Sequence, residues 1–174
     1  MVKSLKFLIA MVAVMVLQGQ LYASTIFVAN LTGSQENPAV TTSAFGSAVL
    51  DLNAAQTQLT IDIEIVGLDL GPAAGTTPQT ASLQDDLTNL HIHNAPAGLN
   101  GGVVFGMVTP NHDINPPNLV ITPSGTGVGG LIQSIWDIPE GNGTTLTLQL
   151  PNLFADLLYI NAHTNAHPGG EIRG

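Results

Sequence analysis

Gln58-Leu59-Thr60-Ile61-Asp62-Ile63-Glu64-Ile65-Val66 is the stretch that decides the fold. Leu59, Ile61, Ile63 and Ile65 alternate with Thr60, Asp62 and Glu64, and a period of two puts the four aliphatics on one face of an extended chain. Wound as a helix, the same residues would spread around the circumference. The stretch therefore predicts a half-buried β-strand. Residues 144–150 repeat the alternation, with Leu146, Leu148 and Leu150 against Thr145, Thr147 and Gln149, and predict a second strand. Weaker strand patterns occupy residues 25–31, 44–52, 87–93, 102–108, 118–122, 130–136, 158–163 and 171–173.

Turn signals separate these runs. Asn100-Gly101 and Asn142-Gly143 are turn dipeptides, and proline and glycine cluster at residues 71–78, 110–117 and 123–130. Nineteen glycines and eleven prolines suit many turns between short strands better than they suit helices. Only residues 151–157, opening on Pro151, read as a brief helical turn. Residues 71–86 are polar and patternless, a long loop that can cover or extend one end of the domain. About eight to ten short strands predict an all-β fold, an antiparallel Greek-key β-sandwich or barrel.

The first residues follow a different logic. Lys3 and Lys6 precede the apolar run of residues 7–17, and a small residue, Ala23, closes a short polar and mixed stretch. This is the pattern of a secretory signal peptide over residues 1–23, and the apolar run is shorter than the ~20 residues a spanning helix needs. Residues 24–174 then form one β-domain with no transmembrane segment, exported to the periplasm or beyond the cell.

That division sharpens the charge. The chain carries a formal net charge of -9, from twelve acids and three basic residues. Two of the three are the leader lysines, so Arg173 is the only fixed side-chain cation of the remainder. A chain without a basic face cannot neutralise phosphates, which excludes nucleic acid as a partner. The chain has no cysteine, so disulfides, thiol catalysis and thiolate metal sites are excluded as well.

Four of the five histidines fall in two places. His91 and His93 flank Ile92, and residues i and i+2 of a strand project from one face about 6.5 Å apart. Two imidazoles so placed reach one metal ion, and copper or zinc is completed by a third ligand from another strand. His163 is the natural third ligand, with His167 or Glu171 behind it. The alternative is structural: the rings hydrogen-bond neighbouring backbone and hold no ion. Rings converging within about 4 Å favour the metal by the bond lengths involved. Rings diverging to separate backbone partners favour the structural role. His112 reads as exposed loop surface.

Glu171 and Arg173 are i and i+2 on the last apparent strand. A lone arginine among carboxylates is most economically a structural ion pair or a fork to carbonyl oxygens. No Gly-x-Ser-x-Gly nucleophile setting, phosphate loop or calcium loop accompanies these residues, so no catalytic motif is present and the chain reads as a non-enzyme.

Four blocks together carry a resemblance. They are Phe27-Val28-Ala29-Asn30-Leu31-Thr32-Gly33-Ser34-Gln35-Glu36-Asn37-Pro38; Ala44-Phe45-Gly46-Ser47-Ala48; Leu90-His91-Ile92-His93-Asn94-Ala95-Pro96-Ala97-Gly98-Leu99-Asn100-Gly101; and Leu158-Tyr159-Ile160-Asn161-Ala162-His163-Thr164 with Gly169-Gly170-Glu171-Ile172-Arg173-Gly174. In this order they resemble a CHRD domain, the module first described in chordin and common in bacterial exported proteins. The resemblance implies an extracytoplasmic β-sandwich module without a defined reaction. It implies signature positions at Glu36, His91, His93, Asn161, His163, Glu171 and Arg173.

Three functional classes follow. The first is an exported binding or matrix module whose acidity suits an extracellular protein partner or a metal ion. The second is a copper- or zinc-binding protein using the His-x-His strand. Comparison with copper–zinc superoxide dismutase stops at that motif, because the ligand set for two metals is missing. The third, an enzyme, rests on isolated polar residues alone. Oligomeric state stays open.

Overall fold

The computed structural model describes residues 23–174, and all but the last residue of the proposed export signal lies outside them. Nine strands are present among the described residues: β1 (Thr25–Thr32), β2 (Phe45–Leu52), β3 (Gln58–Val66), β4 (Leu87–Asn94), β5 (Gly102–Val108), β6 (Val120–Pro123), β7 (Gly129–Asp137), β8 (Leu158–Thr164) and β9 (Ile172–Arg173). One helix, α1 (Leu146–Phe154), lies between β7 and β8, and a single 3-10 turn (Gly33–Gln35) follows β1. None of the described helices is long and apolar enough to cross a membrane.

All nine strands join one sheet in the order β5-β4-β8-β9-β1-β2-β3-β7-β6, antiparallel throughout. β3 is its plainest member. Leu59, Ile61, Ile63 and Ile65 are fully buried while Thr60, Glu64 and Val66 face solvent, as alternation requires. Its turn from β2 is tied locally: Asn53 Oδ1 accepts the Thr57 N–H at 2.8 Å.

The sheet curls into a half-barrel, so that its two ends share one core. Inward side chains of β3 and β7 lie in the same apolar cluster as Leu90 and Ile92 of β4, Phe105 of β5 and Ile160 of β8. Phe105 stacks on Trp136 with ring centroids 4.9 Å apart and planes 13° from parallel. The indole N–H finds the Glu140 carbonyl at 2.7 Å, which satisfies its one polar atom inside the core.

Three expectations are corrected. Residues 144–150 form no strand, and the helix does not begin at Pro151: α1 runs from Leu146 to Phe154 with Pro151 inside it. Leu146, Leu150 and Leu153 stand at i, i+4 and i+7, with Leu146 and Leu153 buried, while Leu148 is 66% exposed. A period near 3.6 therefore describes the burial and a period of two does not. The Thr145 hydroxyl caps the helix by accepting the Leu148 N–H at 3.3 Å. The strand expected at 118–122 begins at Val120 instead, because the Asn118 N–H is held in the preceding loop by Asp113 Oδ1 at 2.7 Å.

The segment 71–86 is a loop, as its composition predicts. Buried Asp69 organises it by accepting the N–H groups of Gly71 and Thr80, each at 2.8 Å. The Gln79 amide ties it to carbonyls of Ser124, Gly127 and Gly129, and its far end meets the turn after β8 through Asn165 and Ala166.

Candidate metal centre

β4 departs from simple alternation: Leu90, His91, Ile92 and His93 are all buried. Leu90 and Ile92 enter the apolar core. The opposite face is covered as well, and it is polar. Antiparallel register sets His91 opposite Asn161, and Asn161 opposite Arg173; His93 stands opposite Tyr159. Directly paired residues share a face. One side of β4-β8-β9 therefore carries His91, His93, Tyr159, Asn161, His163 and Arg173 beneath loops, a polar layer behind the hydrophobic one.

Each histidine spends one nitrogen on a loop carbonyl. His91 Nε2 donates to the Thr109 carbonyl at 2.9 Å, His93 Nδ1 to that of Gly101 at 3.0 Å, and His163 Nδ1 to that of Pro168 at 3.1 Å. A carbonyl only accepts, so these contacts assign the proton to those nitrogens. The remaining nitrogens, His91 Nδ1, His93 Nε2 and His163 Nε2, are buried lone-pair acceptors without a partner in the protein.

The rings cluster. Centroids of His91 and His163 are 5.2 Å apart, those of His91 and His93 5.6 Å, and those of His93 and His163 6.2 Å. One ring nitrogen from each lies within 4.8 Å of the other two. That spacing is wider than the about 4 Å expected of converged ligands, and each ring also has its own carbonyl partner. Nitrogens bound tetrahedrally at ~2.0–2.1 Å would sit about 3.3 Å apart, so the rings must draw closer to share one ion. Burial holds all three histidines below their ordinary pKa, His163 at about 4, with the neighbouring rings adding to the effect. The imidazoles are neutral at pH 7, and neutral imidazole is the ligand form. Their N–H groups, fixed on carbonyls, supply the outer support that orients ligating histidines in metal sites.

The other expected residues separate from this group. His167 is half-buried outside it, with its N–H on the Thr164 hydroxyl at 3.2 Å. Glu171 is committed elsewhere, accepting the hydroxyls of Thr42 at 2.6 Å and Thr164 at 2.5 Å. Glu171 and Arg173 do not pair. The carboxylate beside Arg173 is Glu36, with Nε and Oε2 3.9 Å apart. Arg173 mainly forks to oxygens of two loops: the carbonyls of Gln35 and Leu99, and Asn100 Oδ1 at 2.8 Å. Burial outweighs its charge at Glu36, whose carboxyl is pushed up to about 7.

The fold also recruits residues that the motif reading passed over. Tyr159 stacks on His93 at 5.0 Å and 11° from parallel, and the Arg173 guanidinium lies 4.9 Å from the Tyr159 ring centroid. The Gly101 N–H meets the Tyr159 hydroxyl at 3.1 Å, while the Gly101 carbonyl holds His93. Alternation along Tyr159, Asn161 and His163 would have found this residue. His112 is half-buried rather than exposed: its Nδ1 accepts the Gly106 N–H at 2.9 Å and folds the loop after β5 back over Gly106, the cross-strand partner of His91. Gly106 permits this approach, because a Cβ there would overlap the Pro110 carbonyl oxygen and lie 3.3 Å from His91 Cδ2.

The CHRD domain family model matches residues 27–174, nearly every residue described. The chain belongs to the CHRD domain family. Comparison with curated proteins and with solved structures gave no significant match. In this CHRD domain the blocks at Gln35–Glu36, His91–Gly101, Tyr159–His163 and Glu171–Gly174 converge on the polar face of β4-β8-β9. Membership supports a binding module.

Proposed function

We propose that this CHRD domain protein is an exported, non-enzymatic binding module whose working element is the three-histidine centre, and that the centre holds copper or zinc. The observation that carries the reading is the set of three buried, uncommitted nitrogens on rings packed together and oriented by carbonyls. A buried acceptor without a partner is costly, and a metal ion satisfies all three at once. The charge of the domain agrees: Arg173 is buried and no lysine lies in residues 23–174, so the solvated surface carries carboxylates and no fixed side-chain cation. Such a surface attracts cations, whether metal ions or basic faces of an extracellular protein.

Metal analysis of natively exported protein tests the reading, with a His91→Ala/His93→Ala variant beside it. One copper or zinc per chain, lost in the variant, is the expected result. A metal-free protein whose thermal midpoint is unmoved by either ion would sink it.

A further inference from the structure

The centre offers three neutral nitrogens and no anion. Among the described residues no other histidine, aspartate or glutamate joins the group. The buried carboxylates of this face lie outside the group: Glu171 accepts two hydroxyls, and Glu36 stands beside Arg173 with its Oε1 unpartnered in the protein. Below the adjoining loop, Asp113 accepts the Asn118 N–H at 2.7 Å and the Ser134 hydroxyl at 2.6 Å. A tetrahedral ion on three protein ligands keeps one position open, the arrangement of reactive rather than purely structural sites.

Charge and access decide what enters it. A divalent ion on three neutral imidazoles retains its whole charge in a buried setting, and the nearest fixed charge along the stack from His93 through Tyr159 is the cation Arg173. Uncompensated charge of that kind is expensive away from water, so an anion in the open position is favoured over a neutral ligand. The three histidines are each only 6–8% exposed. Two surface clefts flank the neighbouring strand, of about 510 and 450 Å³, and neither is lined by a histidine of the triad. Burial this deep restricts an incoming ligand to few atoms.

We propose that the centre, with a divalent ion bound, takes one small monodentate anion from solution as its fourth ligand. The inference rests on the metal reading above and adds that the centre is open. Its test is a titration of copper(II)-loaded protein with sodium azide, followed by electron paramagnetic resonance and by the azide-to-copper charge-transfer absorption. A saturable band reaching one azide per copper, with a changed resonance spectrum and copper still bound, is the expected outcome. The band should be lost in His163→Ala. Unchanged spectra in protein holding stoichiometric copper would overturn the open position while leaving the metal reading intact; so would azide stripping the copper. Failure to load copper or zinc at all would overturn both.

Discussion

His91 and His163 lie on adjacent strands with ring centroids 5.2 Å apart, and each gives one nitrogen to a loop carbonyl and keeps the other uncommitted. Backbone anchoring and metal binding looked like competing explanations of the histidines. In this fold they are complementary, because an imidazole has two nitrogens and a carbonyl that takes the N–H leaves the lone pair free.

The pH response of the centre follows from burial. Each of the three histidines binds fewer protons folded than unfolded below the ordinary histidine value, and for His163 that window reaches down to about 4. Stability attributable to them is present above that ordinary value and lost as the pH falls toward 4. The same shift postpones competition between protons and metal. Zinc affinity, read by calorimetric titration, is expected to be level from pH 8 down to the ordinary histidine value and to fall only below it. A tenfold drop per pH unit already at pH 7 would contradict the buried neutral triad.

Glu36 carries the opposite sign. Its folded pKa, about 7, lies above the ordinary glutamate value, so its contribution is present below that ordinary value and lost as the pH rises through 7. Replacing it by the uncharged isostere, Glu36→Gln, should remove this slope. The stability of the native protein relative to the variant, from urea midpoints, should decline between pH 5 and pH 8, by on the order of a few kcal/mol at most. A difference that stays constant or grows with pH would rule out a carboxyl kept protonated by burial.

Gly106→Ala tests the loop that supports His91. The added methyl would overlap the Pro110 carbonyl oxygen and meet His112 Nδ1 at 2.9 Å, and that loop supplies the Thr109 carbonyl holding His91. The variant should lose stability by ~1–3 kcal/mol, as overpacking does, and bind metal more weakly. Normal affinity in a folded variant would show that the Thr109 contact does not orient the ring.

Closure of the half-barrel depends on Trp136. Trp136→Ala removes the stack with Phe105 and empties a fully buried site, which should cost about 3–5 kcal/mol by urea unfolding. Val28→Ala, at a side chain 74% exposed, should change stability by less than ~0.5 kcal/mol. Equal effects would place the core elsewhere.

Strand positions were largely legible because a strand that buries one face must alternate, and β3 and β5 have the predicted bounds. The pattern misleads at α1 for a physical reason. The run from Leu146 to Leu150 satisfies a period of two as written, and the exposure of Leu148 with the burial of Leu153 selects the helix. The His-x-His pair was visible from spacing. Its committed carbonyls at Thr109 and Gly101, and that of Pro168 on His163, were not, because a backbone acceptor has no residue type to read.

By itself the sequence determined an all-β fold class with alternating strands such as β3, an acidic composition, no thiol chemistry, and two histidines on one side of a strand. These are consequences of residue type and local spacing. Only the tertiary structure decided that His163 joins His91 and His93 while His167 does not, that Glu36 rather than Glu171 stands beside Arg173, and that Tyr159 stacks on His93. Those outcomes depend on the pairing of β8 with both β4 and β9, which joins residues 87–94 to residues 158–173. Register between strands distant in the chain comes from the packing of the whole core, and no local pattern encodes it.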